Sequence, residues 1–251
     1  MNHLELECLL DQLLEPRQFK DYAPNGLQVE GRAEVRRVVT GVTACQALLD
    51  AALELEADAI LVHHGYFWGN EAPAIRGMKK RRLQTLLQHD INLYAYHLPL
   101  DAHPELGNNA QLARLLDIRI TGPLEQDNPR SLVLTGELAE PLSASEFATR
   151  LQETLGRVPL HCAGGPDEIR TVAWCSGGGQ GYLELAAKAG IDAFFSGEVS
   201  EQTYHVAREM GTHFFAAGHH ATERYGVKAL GEWLAREHGL DVTFVDIDNP
   251  V

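Results

Sequence analysis

Asp58-Ala59-Ile60-Leu61-Val62-His63-His64-Gly65-Tyr66-Phe67 is the stretch whose reading decides the fold. Four apolar residues between an aspartate and a short polar run predict a buried strand. That strand delivers two adjacent histidines to the point where it opens into a loop. In α/β folds ligands sit just beyond the carboxyl ends of strands, so chemistry is expected there. Neighbouring residues on a strand face opposite ways, so one ion does not readily take both side chains if the strand continues. Gly65 lets the backbone turn, which would allow the pair to flank a two-ion site. Alone, a His-His pair reads more simply as one packed and one surface histidine. The rest of the chain decides.

Outward from this stretch, strands and helices alternate. Residues 35–42 read as a strand, 46–55 as a helix, 76–88 as a basic helix with a solvated face, and 92–96 as a strand. The last of these runs into His97-Leu98-Pro99-Leu100-Asp101, and a helix follows over 108–116. Upstream, 4–14 has helical spacing closed by Pro16, and 21–31 reads as a turn-rich connector. Alternation of this kind predicts a largely parallel sheet. Residues 124–165 break the rhythm with a strand over 131–135 and a helix running to Leu155 behind the capping box Ser143-Ala144-Ser145-Glu146. This piece reads as an αβ insert, a lid or an oligomer contact.

Beyond the insert the first pattern returns. Arg170-Thr171-Val172-Ala173-Trp174-Cys175 matches the strand at 37–43, and 182–195 matches 48–61, which sets Asp192 on Asp58. His219-x-x-x-Glu223 then falls on His97-x-x-x-Asp101, and Gly197-Glu198 on His63-His64. The expected fold is α/β, with two pseudo-symmetric lobes built on mostly parallel sheets. The lobes are residues 1–123, with His63, His64 and Asp101, and residues 124–251, with the insert at 124–165, His219 and Glu223.

Imidazole and carboxylate four residues apart share one face when a helical turn begins at the histidine. Such donors suit Zn, Mn, Fe, Co or Ni. Three or four histidines and two carboxylates at strand ends suit two ions better than one structural zinc. The run Cys175-Ser176-Gly177-Gly178-Gly179-Gln180-Gly181 lacks the spacing of a dinucleotide fingerprint or a P-loop lysine, so it reads first as backbone close to the site and second as an anion cradle at a helix N-terminus. His103, His205, His213, His220 and His238 read as ordinary residues. The four cysteines form no C-x-x-C pair, which points to a reducing compartment. A net charge of −14 argues against nucleic acid and anionic membrane. The N-terminus lacks a secretory pattern and no apolar run reaches membrane-span length, so a cytoplasmic protein is expected.

Segments 21–31, 62–67, 97–109, 175–180, 196–203 and 216–223 together resemble the Nif-three-like family, often called GTP cyclohydrolase I type 2, in its short bacterial form. The resemblance implies a dinuclear centre, two divalent ions per chain, held by His63, His64, Asp101, His219 and Glu223. His97 lies in the same motif and is carried over as a group beside the ligands, or an occasional ligand, that moves protons. Glu198 is a second, weaker proton-transfer candidate. The resemblance also implies a toroidal homohexamer, a trimer of dimers, and a metal-dependent hydrolase acting on a nucleotide-like or other small molecule. A protein that stores, delivers or inserts metal without turnover is the alternative, and a scaffold with structural histidines a third reading.

Overall fold

The computed structural model describes residues 1–128 and 130–251. The chain divides into two units, residues 1–107 with 226–248 and residues 108–225 with 249–251. The elements of the first part are α1 (His3–Leu14), β1 (Gly26–Val29), β2 (Arg37–Thr43), α2 (Gln46–Glu54), β3 (Ala59–His64), α3 (Gly77–Gln88), β4 (Asn92–Ala95) and α4 (Leu98–Ala102). There follow α5 (Asn108–Leu115), β5 (Ile118–Pro123), β6 (Leu134–Leu142), α6 (Ala144–Leu155), β7 (Leu160–Cys162), β8 (Ile169–Cys175) and α7 (Leu183–Lys188). The chain closes with β9 (Ala193–Ser196), α8 (Glu201–Met210), β10 (His213–Ala216), α9 (His219–His238) and β11 (Asp241–Phe244).

The first unit is built on the sheet β1-β4-β3-β2-β11, parallel throughout except for β1. Its central strands are apolar on both faces because both faces are covered, as parallel sheets require. Side chains alternate accordingly. Val38, Leu61 and Tyr94 pack under Leu6, Leu10 and Leu14 of α1 with Val227, Leu230 and Leu234. Val39, Ile60, Val62 and Leu93 pack under Leu48, Leu49 and Ala52 of α2 with Leu83 and Leu86 of α3.

The second unit repeats this plan on the sheet β5-β6-β8-β9-β10-β7. β8, β9 and β10 are parallel, as β2, β3 and β4 are, and antiparallel strands flank them. Val172, Trp174, Phe195 and Phe215 meet Phe147, Leu151 and Leu155 of α6, while Ala173, Phe194 and Phe214 meet Leu183, Ala186 and Ala207 on the other face. The aligned aspartates confirm the repeat at the level of single bonds. Asp58 accepts the amides of Arg36 and Arg37 at 2.9 Å each, and Asp192 those of Arg170 and Thr171 at 2.9 and 2.8 Å. Each carboxylate thus ties the start of one strand to the start of its neighbour.

Four details differ from the sequence reading. Gly26–Val29 is an edge strand on β4, not a connector, because Glu7 of α1 accepts the Leu27 amide at 2.9 Å and holds the segment against the sheet. The second sheet is mixed rather than mostly parallel. Residues 124–165 are the cause: β6 pairs with β5 and β8 and β7 with β10, so the segment lies at both sides of that sheet. The strand expected at 131–135 is shifted to Leu134–Leu142. The boundary falls at Gly107 rather than 123, since Leu112, Ala113 and Leu116 join the core around Trp174, and residues 226–248 return to the first unit. The capping box of α6 forms as expected, with Ser143 and Glu146 reciprocally bonded and Gly156 closing the helix at φ 76. Among the described residues no helix is long and apolar enough to cross a membrane.

Candidate metal centre

In the first unit β3 ends at His64, and Gly65 turns the chain where a Cβ would lie 2.2 Å from Gln28 Oε1 and 2.6 Å from the Ala95 side chain. With the strand ended, the two histidines do not splay to opposite faces. Their ring centroids are 4.6 Å apart, and that of His97 lies 5.1 Å from His63 and 5.6 Å from His64. Each of the three offers a ring nitrogen, all within 4.8 Å of one another. α4 starts directly after His97 and brings Asp101 round one turn, with its Oδ1 3.5 Å from His63 Nε2.

The other ring nitrogens are anchored. His63 Nδ1 donates to the Tyr96 carbonyl at 3.0 Å. A carbonyl only accepts, so the proton sits on Nδ1 and the lone pair on Nε2. His64 Nδ1 lies 3.2 Å from the Thr43 hydroxyl. His97 Nδ1 meets Asp21 Oδ1 at 2.9 Å, and its backbone amide donates to Asn25 Oδ1 at 2.7 Å. Burial alone would raise the Asp21 pKa, but the His97 hydrogen bond and charge, with Asn25 and the Ala23 amide, bring it down to about 2. Asp21 is therefore ionised, His97 carries its proton on Nδ1, and Nε2 is its basic edge. Asp21 and Asn25 went unnoticed as functional residues in the sequence reading; the only signal was that 21–31 belongs to the family resemblance.

In the second unit α9 begins at His219, and Glu223 sits one turn on, 3.1 Å from His219 Nε2. Glu198 takes His219 Nδ1 at 2.7 Å. Sequence reasoning offered Glu198 as a proton shuttle; its place against Nδ1 makes it the counterpart of Asp21 on His97. The glycine-rich run is backbone close to the site, as expected. Gly177 has φ 59, and a Cβ there would fall 2.0 Å from Glu223 Oε1 and 3.0 Å from His219 Nε2. Its amide donates to Thr222 Oγ1 at 2.9 Å, and its carbonyl accepts from Gly197 at 2.7 Å. His103, His205, His213 and His238 are engaged elsewhere, with neighbouring amides, Glu201, His161 and Trp233 respectively.

Burial disfavours the charged form of His219, but the hydrogen bonds and charges of Glu223 and then Glu198 outweigh it and lift the pKa to about 9. A raised folded pKa stabilises the fold fully below the unfolded value of about 6.5, and that contribution is lost as pH rises through the folded value. In chelator-treated protein the melting temperature is expected to fall between about pH 6.5 and pH 9, and Glu198→Gln to flatten that fall. Identical pH profiles for parent and variant would count against the assignment.

The donor set fits divalent transition metals. Imidazole nitrogens and carboxylate oxygens are borderline-to-hard ligands, and each anchored Nδ1 supplies the outer hydrogen bond that metal-bound histidines use.

Comparisons with known proteins identify the chain's relatives. A profile of the family described as Duf34/NIF3 (NGG1p interacting factor 3) matches residues 1–250. A relative from Yersinia pestis, named GTP cyclohydrolase 1 type 2 homolog, is 64% identical over 251 residues, covering all of both chains. One of the same name from Vibrio cholerae is 63% identical over 255 residues, again covering all of both chains. A solved structure described as protein ybgI, of unknown function, is 59% identical, matches with a TM-score of 0.97 and covers all of both chains.

Proposed function

The chain belongs to the Duf34/NIF3 family, and from that premise we propose that it is a dinuclear metalloprotein that hydrolyses a small, nucleotide-like substrate. The observation that carries the reading is the convergence of His63, His64 and His97, each with its Nδ1 already held. Packing histidines need no such common orientation. In this proposal His63, His64 and Asp101 of the first unit and His219 and Glu223 of the second are the ligands. Five protein donors shared by two ions leave coordination positions for water and substrate, which separates this arrangement from a closed structural site.

Divalent ions held by these residues would supply Lewis-acid chemistry, polarising a substrate oxygen and bringing the pKa of bound water toward ~7. The chain's own part is to hold and move protons. His97, fixed by Asp21, presents Nε2 as an acceptor, and Glu198 keeps the His219 ring turned toward Glu223. GTP and related nucleotides are the substrates that the relatives' names suggest.

The test is a paired measurement on one preparation purified without added metal. Elemental analysis is expected to give about two ions per chain, and GTP hydrolysis to stop with chelator and return with Mn or Zn. Rapid metal release to a competing chelator, with no turnover on any nucleotide, would transfer the proposal to metal delivery or storage. We further propose a cytoplasmic homohexamer, a trimer of dimers, supported by the family resemblance and by the default closed symmetry of soluble homo-oligomers. Light scattering at micromolar concentration is expected to report six chain masses; one chain mass would exclude it.

A further inference from the structure

We infer that Tyr22 and Trp68 form a stacking wall for a planar heteroaromatic ring beside the metal donors of the first unit. The tyrosines of this unit's sheet are buried with their hydroxyls bonded inward, Tyr94 to the His3 carbonyl at 2.7 Å and Tyr96 to Asp11 at 2.7 Å. Tyr22 is different: it is 63% exposed. Its ring lies 5.6 Å from that of Trp68 at an interplanar angle of 35°. Both meet His97 edge-on, each at 5.1 Å, and Trp68 also lies 5.8 Å from His64. An aromatic surface therefore begins where the imidazole cluster ends.

The wall is fixed from behind. Trp68 Nε1 donates to the Gly65 carbonyl at 3.2 Å, and the Gly69 amide donates to the Tyr22 carbonyl at 2.8 Å, joining the two segments. Between them Phe67 is held at φ 63. Its amide donates to Glu71 at 2.9 Å, and Lys79 lies 4.9 Å above its ring. Bulky residues in this backbone region are uncommon and gather at functional sites. Edge-to-face contact with His97 orders the wall, and the exposed part of the Tyr22 ring is the surface on which a flat ring would lie. A flat ring lying on it would turn a ring nitrogen or carbonyl oxygen toward His64, a proposed metal ligand, and toward the proton-transfer group His97. An aliphatic ligand would gain no such alignment. The inference rests on the metal reading only for what that heteroatom meets.

The test compares GTP, ATP and UTP with tripolyphosphate, which carries similar charge and no ring, on the metal-loaded parent and on Tyr22→Ala and Trp68→Ala. Each aromatic removed is expected to weaken nucleotide binding about tenfold, leaving tripolyphosphate affinity and metal content unchanged. In Trp68→Phe the nucleotide-dependent change in tryptophan fluorescence should disappear, since Trp174 is fully buried and the third tryptophan, Trp233, packs on the first core and against His238 rather than beside the wall. Equal affinity for nucleotides and tripolyphosphate, or nucleotide affinity unchanged in both alanine variants, overturns the wall. Variants that alter the light-scattering mass but not ring binding overturn it too, making this face a contact between copies. A parent that binds rings through Tyr22 and Trp68 yet holds no metal would uphold the wall and sink the metal reading.

Discussion

Asp101→Ala combined with Glu223→Ala is expected to abolish metal binding while the protein stays folded. Both carboxylates are buried, 6% and 3% exposed, and each lies beside an imidazole nitrogen, His63 Nε2 at 3.5 Å and His219 Nε2 at 3.1 Å. A buried carboxylate pays for its desolvation only with charge-assisted partners. Neither side chain belongs to the apolar cores, so truncation leaves the strand and helix packing in place. Losing an outer hydrogen-bond partner costs a metal site roughly 10–100-fold in affinity. Losing a ligand removes a donor outright, so each single variant should fall by at least about 100-fold and the double variant should hold no metal after dialysis. A second readout separates ligand loss from local damage. Glu223 leads the groups that lift His219 to about 9, so without it the His219 pKa should drop toward the ordinary histidine value, measurable by NMR titration of the metal-free protein. Full occupancy in the double variant would rule out both carboxylates as ligands.

The sequence revealed the repeat because three parallel strands buried on both faces must be written as apolar runs. The match of Asp58 to Asp192 marked a real backbone-tying role in each unit. His97-x-x-x-Asp101 and His219-x-x-x-Glu223 were legible for a similar reason: a helix starts at or directly after each histidine, so spacing alone places the acid one turn on. Asp21 was not legible. Its bond to His97 spans 76 residues and depends on β1 lying antiparallel on β4, which four residues, Gly26-Leu27-Gln28-Val29, signal weakly among prolines and glycines. The antiparallel flanks of the second sheet were missed for the same kind of reason. Strand partners over residues 118–162 are set by packing against Trp174 and Phe147 rather than by local pattern. That Gly177 must be glycine also depends on a contact with Glu223, far along the chain.

His97→Ala is expected to lower nucleotide hydrolysis by about 100-fold, the lower end for loss of a positioned general acid or base, while metal content stays within about twofold of the parent. Two features of His97 lead to this split. Its ring nitrogens approach those of His63 and His64 closely enough for a shared ion, so it can act on whatever the ion activates. Its Nδ1 is also backed by the ionised Asp21 carboxylate, at 2.9 Å, with its backbone clamped by Asn25. An aspartate behind an imidazole holds the ring and its tautomer, and stabilises the imidazolium that forms when Nε2 takes a proton. A ligand needs orientation too, but gains nothing from becoming imidazolium. Asp21→Asn tests that distinction, because the amide oxygen can keep the His97 contact while the charge is lost, at the expense of the bonds that Asn25 and the Leu98 amide donate to the other carboxylate oxygen. Turnover should fall with the bell of the pH profile displaced, while metal affinity changes little. His63→Ala is the reference, expected to lose metal and turnover together. If His97→Ala loses metal as completely as His63→Ala does, His97 is a sixth ligand, and proton transfer must be assigned elsewhere. Metal retained with turnover gone identifies His97 as the group that moves the proton.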